Sequence, residues 1–197
     1  MTVIGLLRHG PTGWNRDKLI QGVRDIPLDR RAFDPAPWRE LLAAHGPWDR
    51  VVSSPLSRAR DTAALLFPGL PPETDPGLQE QDWGEWTGLT IGELRRGSPG
   101  LVEAQEALGW DFTPPGGESR RAVLARALAA VEAAARGRDG RRVLLVTHFG
   151  VIMAILNYLQ GTTFLPETSA RIDKRALHLL SREASGLRIL ATNLRPA

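Results

Sequence analysis

Short apolar runs recur along the chain, and they predict buried β-strands. Strands that are apolar on both faces are typical of a parallel sheet covered on its two sides. The predicted strands are Val3–Leu7, Arg50–Val52, Arg142–Thr147, Ala176–Leu180 and Leu187–Ala191. The last two flank Ala184–Gly186, which predicts a turn between them.

Between the strands, apolar residues recur at helical spacing. The clearest helix begins near Ser119 and ends at Gly137, because serine caps helix N-termini and glycine commonly ends helices. Further helices are predicted over Pro37–Ala44, Pro55 to about Phe67, Ile91–Arg96, Leu101–Leu108 and about Gly150–Leu159. Ser54 is predicted to cap the second of these, and Pro68–Pro76 is predicted as a loop. Strands alternating with helices predict an α/β sheet with helices on both faces.

Length and composition narrow the classes of protein that remain. A chain of 197 residues, 42% hydrophobic and 24% charged, fits a single globular domain over 1–197. It has no cysteine, which excludes thiol nucleophiles, disulfides and thiolate metal sites. No apolar run reaches the ~20 residues of a membrane helix, and the N-terminus lacks the pattern of a signal peptide. We therefore expect a cytoplasmic protein without a membrane partner.

Arginine supplies nearly all the positive charge behind the net value of +3, since Lys18 and Lys174 are the only lysines. A basic excess is typical of proteins that bind nucleic acid or small acidic substrates. Here the arginines are scattered along the chain rather than gathered in a tail or stripe. No nucleic-acid partner is therefore expected.

Three predicted strands end in conspicuous polar residues. The first is followed by Arg8–Gly10, the second by Ser53–Pro55 with Arg58 one turn further, and the third by Thr147–Gly150. Ligands of open α/β sheets bind beyond the carboxyl ends of the strands. Two of the four histidines, His9 and His148, thus fall at the predicted ligand-binding edge.

These residue types suit transfer of a phosphoryl group. A neutral imidazole is a nucleophile when a backbone acceptor holds the proton on its other nitrogen, and His9 is the candidate. Arg8, Arg58 and a protonated His148 could stabilise charge on the transferred group, with backbone N–H groups near Gly150. A neutral carboxylic acid could protonate the leaving group. Serine-hydrolase, nucleotide-binding and metal-binding motifs are missing, so no cofactor and no metal are expected.

The same residues lie in motifs that resemble those of the histidine phosphatase superfamily, the phosphoglycerate mutase-like proteins. The matching segments fall in family order across roughly the first 150 residues. They are Leu7–Asn15, Gln21–Gly22, Asp25–Leu28, Ser53–Ala63, Leu78–Gly88, Pro115–Ser119 and Val146–Ile152. The resemblance implies a three-layer α/β sandwich with a mostly parallel central sheet.

The resemblance also implies a role for each matching residue. His9 would be the phosphorylated nucleophile, Glu80 the proton donor and later the base, and Arg8, Arg58 and His148 the groups that bind the phosphoryl group. The implied substrate-binding residues are Asn15, Thr12, Gln21, Gly22 and Phe149. Glu118 would support the site or cap the following helix.

The family contains phosphatases and mutases, and some proteins of its fold are inactive. The compact chain favours a phosphomonoesterase acting on a small phosphorylated metabolite, with phosphoglycerate mutase activity or non-catalytic ligand binding as the alternatives. Residues 82–115 are expected to cover the site. Phe149 departs from the small residue common there, so it either faces the core or narrows the pocket. A homodimer is an open alternative to a monomer.

Overall fold

A six-stranded mixed sheet forms the centre of the computed structural model, which describes residues 1–137 and 139–197. The strands are β1 (Thr2–Arg8), β2 (Arg50–Ser53), β3 (Glu73–Thr74), β4 (Arg142–Thr147), β5 (Leu177–Glu183) and β6 (Gly186–Leu194). Their order is β3-β2-β4-β1-β5-β6. Neighbours from β3 to β1 are parallel, and β5 is antiparallel to both β1 and β6. The predicted α/β fold with a mostly parallel sheet is confirmed.

Six of the seven α-helices of the described residues fall close to predicted segments, and the short helix α1 was not predicted. They are α1 (Gly13–Arg16), α2 (Ala36–Ala44), α3 (Ser57–Leu66), α4 (Ile91–Gly97), α5 (Leu101–Glu106), α6 (Arg120–Ala135) and α7 (Phe149–Leu159). The Ser119 hydroxyl accepts from the backbone N–H of Ala122 at 3.2 Å, as predicted for an N-cap. The prediction for Ser54 was wrong, because α3 begins at Ser57 and its N-cap residue is Leu56.

Two hydrophobic cores lie on opposite faces of the sheet. Neighbouring residues of β4 alternate between them: Leu145 packs with α6 and α7, and Leu144 packs with α2 and α3. Both leucines are fully buried. Because successive side chains of a strand point to opposite faces, the apolar runs of the central strands serve both cores. Helices therefore cover both faces, as a three-layer sandwich requires.

The register of the central strands brings their carboxyl ends together. Arg8 pairs with Thr147, and Ser53 pairs with Val146. Hydrogen bonds extend the ladder by one residue on each side: the His9 N–H donates to the Thr147 carbonyl at 2.9 Å, and the Ser54 N–H donates to the Val146 carbonyl at 2.9 Å. Residues that follow three separate strands thereby lie side by side at one edge.

Residues 82–115 form a small subdomain of short helices with its own apolar cluster, Trp86, Leu94, Val102 and Phe112. Backbone hydrogen bonds join this subdomain to Ile20, next to the Gln21–Gly22 motif segment. The Ile20 N–H donates to the Leu89 carbonyl at 2.9 Å, and the Gly88 N–H donates to the Ile20 carbonyl at 2.8 Å. No helix of the described residues is both long and apolar enough to cross a bilayer.

Candidate active site

His9 follows the central strand β1 and is 6% exposed. Its Nδ1 lies 2.6 Å from the carbonyl oxygen of Gly10. Since a carbonyl can only accept, Nδ1 carries the ring proton and Nε2 keeps a lone pair. Burial, followed by the positive charges of Arg8 and Arg58, holds the pKa of His9 well below its usual range. The free protein therefore presents a neutral imidazole with one bare nitrogen.

The segment after His9 is fastened to helix α3. The Gly10 N–H donates to the Thr62 hydroxyl at 2.9 Å, and that hydroxyl donates to the Arg58 carbonyl at 2.6 Å. A side chain at Gly10 would come within 2.8 Å of both Leu28 and Phe33. Glycine is needed here for close packing, and the contact fixes His9 relative to Arg58.

Arg58 is a buried cation with part of its guanidinium unused. The side chain is fully buried, and its Nη1 and Nη2 donate to the carbonyls of Arg24 and Gly22, each at 2.8 Å. Its Nε has no partner among the described residues, and the same holds for Nε of Arg8. Burial lowers the pKa of Arg58 to about 10, against the opposing charge of Glu80. Arg58 thus stays charged near neutral pH and keeps one N–H group without a partner among the described residues.

His148 lies next to His9, with 5.0 Å between the ring centroids. Its Nε2 is 2.8 Å from the Ser54 hydroxyl oxygen, and its buried Nδ1 has no partner among the described residues. Burial, then His9 and the arginines, hold the pKa of His148 well below its usual range. In the free protein the ring of His148 is therefore neutral, whereas the sequence predicted it to be protonated where it faces the transferred phosphoryl group.

Glu80 belongs to the same cluster through its contact with the start of α7. Its Oε2 accepts from the Gly150 N–H at 3.3 Å, near the start of α7, and its Oε1 accepts from the Gln81 N–H at 2.9 Å. The contact holds the Glu80 carboxyl against Gly150, which follows His148 by two residues. Glu80 also lies close enough to raise the pKa of Arg8 and Arg58 against the larger, lowering effect of burial.

Arg126 of helix α6 holds the segment that carries Glu80. Its Nη1 donates to the carbonyls of Gly77 at 2.9 Å and Gln79 at 2.6 Å, and its Nη2 donates to the Glu80 carbonyl at 3.1 Å. Nε and Nη2 also donate to the two carboxylate oxygens of Glu118, at 2.7 and 2.8 Å. All five N–H donors of this guanidinium are thus used. Glu118 supports the site through Arg126, one of the two roles expected for it.

The predicted substrate-binding residues occupy different positions around this cluster. Thr12 and Asn15 form a reciprocal capping box at the start of α1, so the side-chain oxygen Oδ1 of Asn15 accepts from the Thr12 N–H and hydroxyl. Gln21 is buried with its Oε1 unpaired among the described residues. Gly22 supplies its carbonyl to Arg58, and Phe149 is half-buried as the first residue of α7.

A cavity of about 860 Å³ opens beside His9. Arg8 and Asn15 line it, together with residues of α2, 173–175 and 195–197. No sequence pattern singled out three further cations that line the cavity, Lys174, Arg175 and Arg195. Of the predicted site residues, only Arg8, His9 and Asn15 line this cavity, and no residue of 82–115 does. The others are Thr12, Gln21, Gly22, Arg58, Glu80, His148 and Phe149. Residues 82–115 lie instead against Ile20 and Gly22.

The sequence reasoning also missed several residues that shape the cluster. Ser54 contacts His148, Thr62 fastens Gly10, and Arg126 holds the Glu80 segment. Each of these contacts joins residues that are at least 46 positions apart. Only the Ser53–Ala63 motif, which contains Ser54 and Thr62, carried a signal that could have found them.

Comparisons with known proteins agree with this geometry. A 2,3-bisphosphoglycerate-dependent phosphoglycerate mutase from Methylobacterium sp. (strain 4-46) is 34% identical over 168 residues, which cover 80% of each chain. An uncharacterized phosphatase from Bacillus subtilis is 28% identical over 163 residues, covering 82% of this chain and 79% of its own. The structure of a mycobacterial glucosyl-3-phosphoglycerate phosphatase with VO3 has a TM-score of 0.82 at 30% identity and covers 98% of both chains.

A family model extends the match to almost the whole chain. The model of the histidine phosphatase superfamily (branch 1) matches residues 4–195, from the first strand to the end of the last. Together with the ordered motifs at the sheet edge, this shows that the chain belongs to the histidine phosphatase superfamily (branch 1).

Proposed function

We propose that the chain is a phosphomonoester hydrolase that forms a phosphohistidine on His9. The observation that carries the proposal is the 2.6 Å contact between His9 Nδ1 and the Gly10 carbonyl. It leaves Nε2 bare within a cluster that includes two arginines, Arg8 and Arg58, whose buried Nε–H groups have no partner among the described residues. A bare nucleophilic nitrogen among cationic donors suits attack on phosphorus, where charge spreads over the equatorial oxygens.

The reaction would run in two balanced steps. In the first, the His9 Nε2 lone pair forms a bond to phosphorus, the bond between phosphorus and the ester oxygen breaks, and the Glu80 carboxyl gives its proton to that oxygen. In the second, the Glu80 carboxylate takes a proton from water, the water oxygen bonds to phosphorus, and the P–N bond breaks to release phosphate. Arg8, Arg58 and His148 would hold the phosphoryl oxygens throughout.

The cavity beside His9 is of a size that suits a small phosphorylated metabolite, and Arg8 and His9 are the proposed catalytic residues that line it. About 860 Å³ lies within the range of cavities that hold metabolite-sized ligands. Lys174 and Arg175 on its rim are exposed, which suits a leaving group that carries negative charge of its own. The proposal also includes a single domain over 1–197. Residues 82–115 would cover the active site on the side of Gly22 and Glu80.

Phosphoglycerate mutase activity is the second candidate, because a relative that is 34% identical is named as such a mutase. The phosphatase is favoured by the structural match to a named phosphatase, which covers 98% of both chains. The open cavity also gives water a route to His9. A mutase would convert 3-phosphoglycerate into the 2-isomer faster than it releases phosphate, whereas the proposed enzyme would do the reverse.

The proposal is tested by assaying phosphate release from a generic aryl phosphate with no added metal. We expect turnover by the wild-type protein and none by His9→Ala, and retained turnover in that variant would remove His9 from the mechanism. Acid-labile phosphate trapped on the wild-type protein would exclude the non-catalytic alternative. A panel of phosphorylated metabolites then ranks the substrates.

The place and assembly of the enzyme belong to the same proposal. A cytoplasmic location accords with a chain that has no cysteine to oxidise, and cell fractionation tests it. Sedimentation at assay concentrations decides between a monomer and the alternative of a homodimer.

A further inference from the structure

Ser54 and His148 form a buried, hydrogen-bonded pair at the sheet edge. Both residues have no exposed surface, and the Ser54 Oγ lies 2.8 Å from His148 Nε2. Either group could supply the proton of this hydrogen bond, since the roles of the imidazole nitrogens depend on the tautomer. The other contacts of Ser54 decide between the two arrangements.

The Ser54 oxygen already accepts one hydrogen bond. The backbone N–H of Leu56 donates to it at 3.3 Å. A serine hydroxyl has one proton to give, and the described residues offer that proton no recorded acceptor except His148 Nε2. If His148 donated instead, Oγ would take two N–H groups and its own buried proton would be left without a partner, which is costly.

The same assignment explains the unused nitrogen of His148. With Nε2 accepting from Ser54, the ring proton must lie on Nδ1, which is buried and unpaired among the described residues. An N–H kept free next to Arg8 and Arg58 is a donor for an anion. A bare Nδ1 would instead turn its lone pair toward the anion and repel it.

We propose that Ser54 is a positioning residue that fixes His148 as a neutral Nδ1–H donor to the transferred phosphoryl group. The inference rests on the proposed function, since the phosphoryl group is the anion concerned. His9 and His148 then share one tautomer but present opposite groups to the substrate. His9 offers its bare Nε2, while His148 offers its N–H.

The tautomer can be read in the unliganded wild-type protein by long-range ¹H–¹⁵N correlation of the imidazole rings. The spectrum is recorded at about pH 7.5, above the ordinary pKa of histidine, and the His148→Gln spectrum assigns the signals. We expect Nδ1 of His148 to be protonated and Nε2 to be unprotonated. A proton on Nε2, or on both nitrogens, overturns the proposal without any variant of Ser54.

Substitution tests the role of Ser54 itself. Ser54→Ala should remove the preference of His148 for the Nδ1–H tautomer, so that the Nε2–H tautomer is also populated. It should also weaken inhibition by inorganic phosphate about 10-fold. Ser54→Thr keeps the hydroxyl and should restore both readouts. The matched control is Ser53→Ala, because Ser53 is equally buried but its hydroxyl has no partner among the described residues.

An unchanged tautomer in Ser54→Ala, or an equal effect of Ser53→Ala, contradicts the proposal. The tautomer is measured without turnover, so a failed phosphatase assay leaves this test intact. Conversely, a wrong tautomer in an active enzyme refutes the role of Ser54 and not the proposed function.

Discussion

Gly150, the second residue of helix α7, lies against the proposed proton donor. Its N–H donates to Glu80 Oε2 at 3.3 Å. A Cβ at this position would overlap Oε1 of Glu80 and would lie 3.3 Å from the carboxyl carbon. The substitution Gly150→Ala should therefore push the carboxyl out of its present place, because the end of a glutamate side chain moves more easily than the helix does.

The size of the effect follows from that overlap. Relieving it requires the carboxyl to move on the order of 1 Å, and a misplacement of this size can lower a rate about 10²-fold. Alanine is favoured over glycine within a helix by roughly 1 kcal/mol. We therefore expect Gly150→Ala to be folded at least as stably as the wild type, so that lost activity reflects the position of Glu80.

Two substrates separate the role of Glu80 from a general defect. An alkyl phosphate needs a proton on its leaving oxygen, so its kcat/KM should fall about 10²-fold in Gly150→Ala. An aryl phosphate with a good leaving group needs no such proton, and its kcat/KM should change little. Its kcat should nevertheless fall, since the water step also uses Glu80, and phosphohistidine should accumulate in acid-quenched samples.

Gly69→Ala is the matched control, because a Cβ at Gly69 meets nothing within 4 Å. It should leave both substrates unaffected. Equal losses for the two substrates in Gly150→Ala would show that the substitution disturbs the whole site. No loss for either substrate would show that Glu80 does not act from the position next to Gly150.

Two further predictions concern the surroundings of the site. Arg126→Lys should lower kcat/KM for the alkyl phosphate about 10-fold, because lysine cannot supply five donors in fixed directions. The control is Arg121→Lys, a change at an exposed residue of the same helix that pairs with Asp111, and it should not lower kcat/KM. Equal behaviour of the two variants would contradict the role of Arg126. The lowered pKa of His9 predicts that kcat/KM, corrected for ionisation of the substrate, does not decline as the pH falls through about 6.5. Because His9 and His148 bind protons more weakly when folded, the unfolded chain takes up protons first, and the free energy of unfolding should decrease as the pH falls below about 6.5. Urea denaturation at several pH values measures this decrease, and a smaller one is expected for His148→Gln; stability that is flat over this range would contradict the shifted pKa values.

The sequence predicted the elements that bury apolar residues and missed those that do not. Strands β1 and β4 and helix α6 were predicted within a few residues, because their apolar positions repeat with the period of the element. Strand β3 is only Glu73–Thr74, both exposed at the edge of the sheet, so it leaves no apolar signal. Helix α1 has four residues and buries none of them.

The start of α3 was misplaced for a different reason. Serine followed by proline is a sound local signal for a helix start, but here the Ser54 hydroxyl bonds to a histidine 94 residues away. Local propensity cannot show such a contact. The arginine on α6 was missed in the same way, since an arginine on a helix is usually solvated and nothing near Arg126 in the sequence indicates three distant carbonyls.

The unsatisfied polar atoms of the structure gather where the proposed chemistry takes place. Within the described residues, six buried side-chain polar atoms have no hydrogen-bond partner, and Arg8, Arg58, His148 and Gln21 account for four of them. Buried polar groups are otherwise nearly always paired, because leaving them unpaired costs stability. Three of the four are donors: the two Nε–H groups and, on our assignment, the N–H of His148. A fold that leaves such donors unpaired around a bare imidazole nitrogen is preorganised for an anion, since binding the anion restores what folding left unsatisfied.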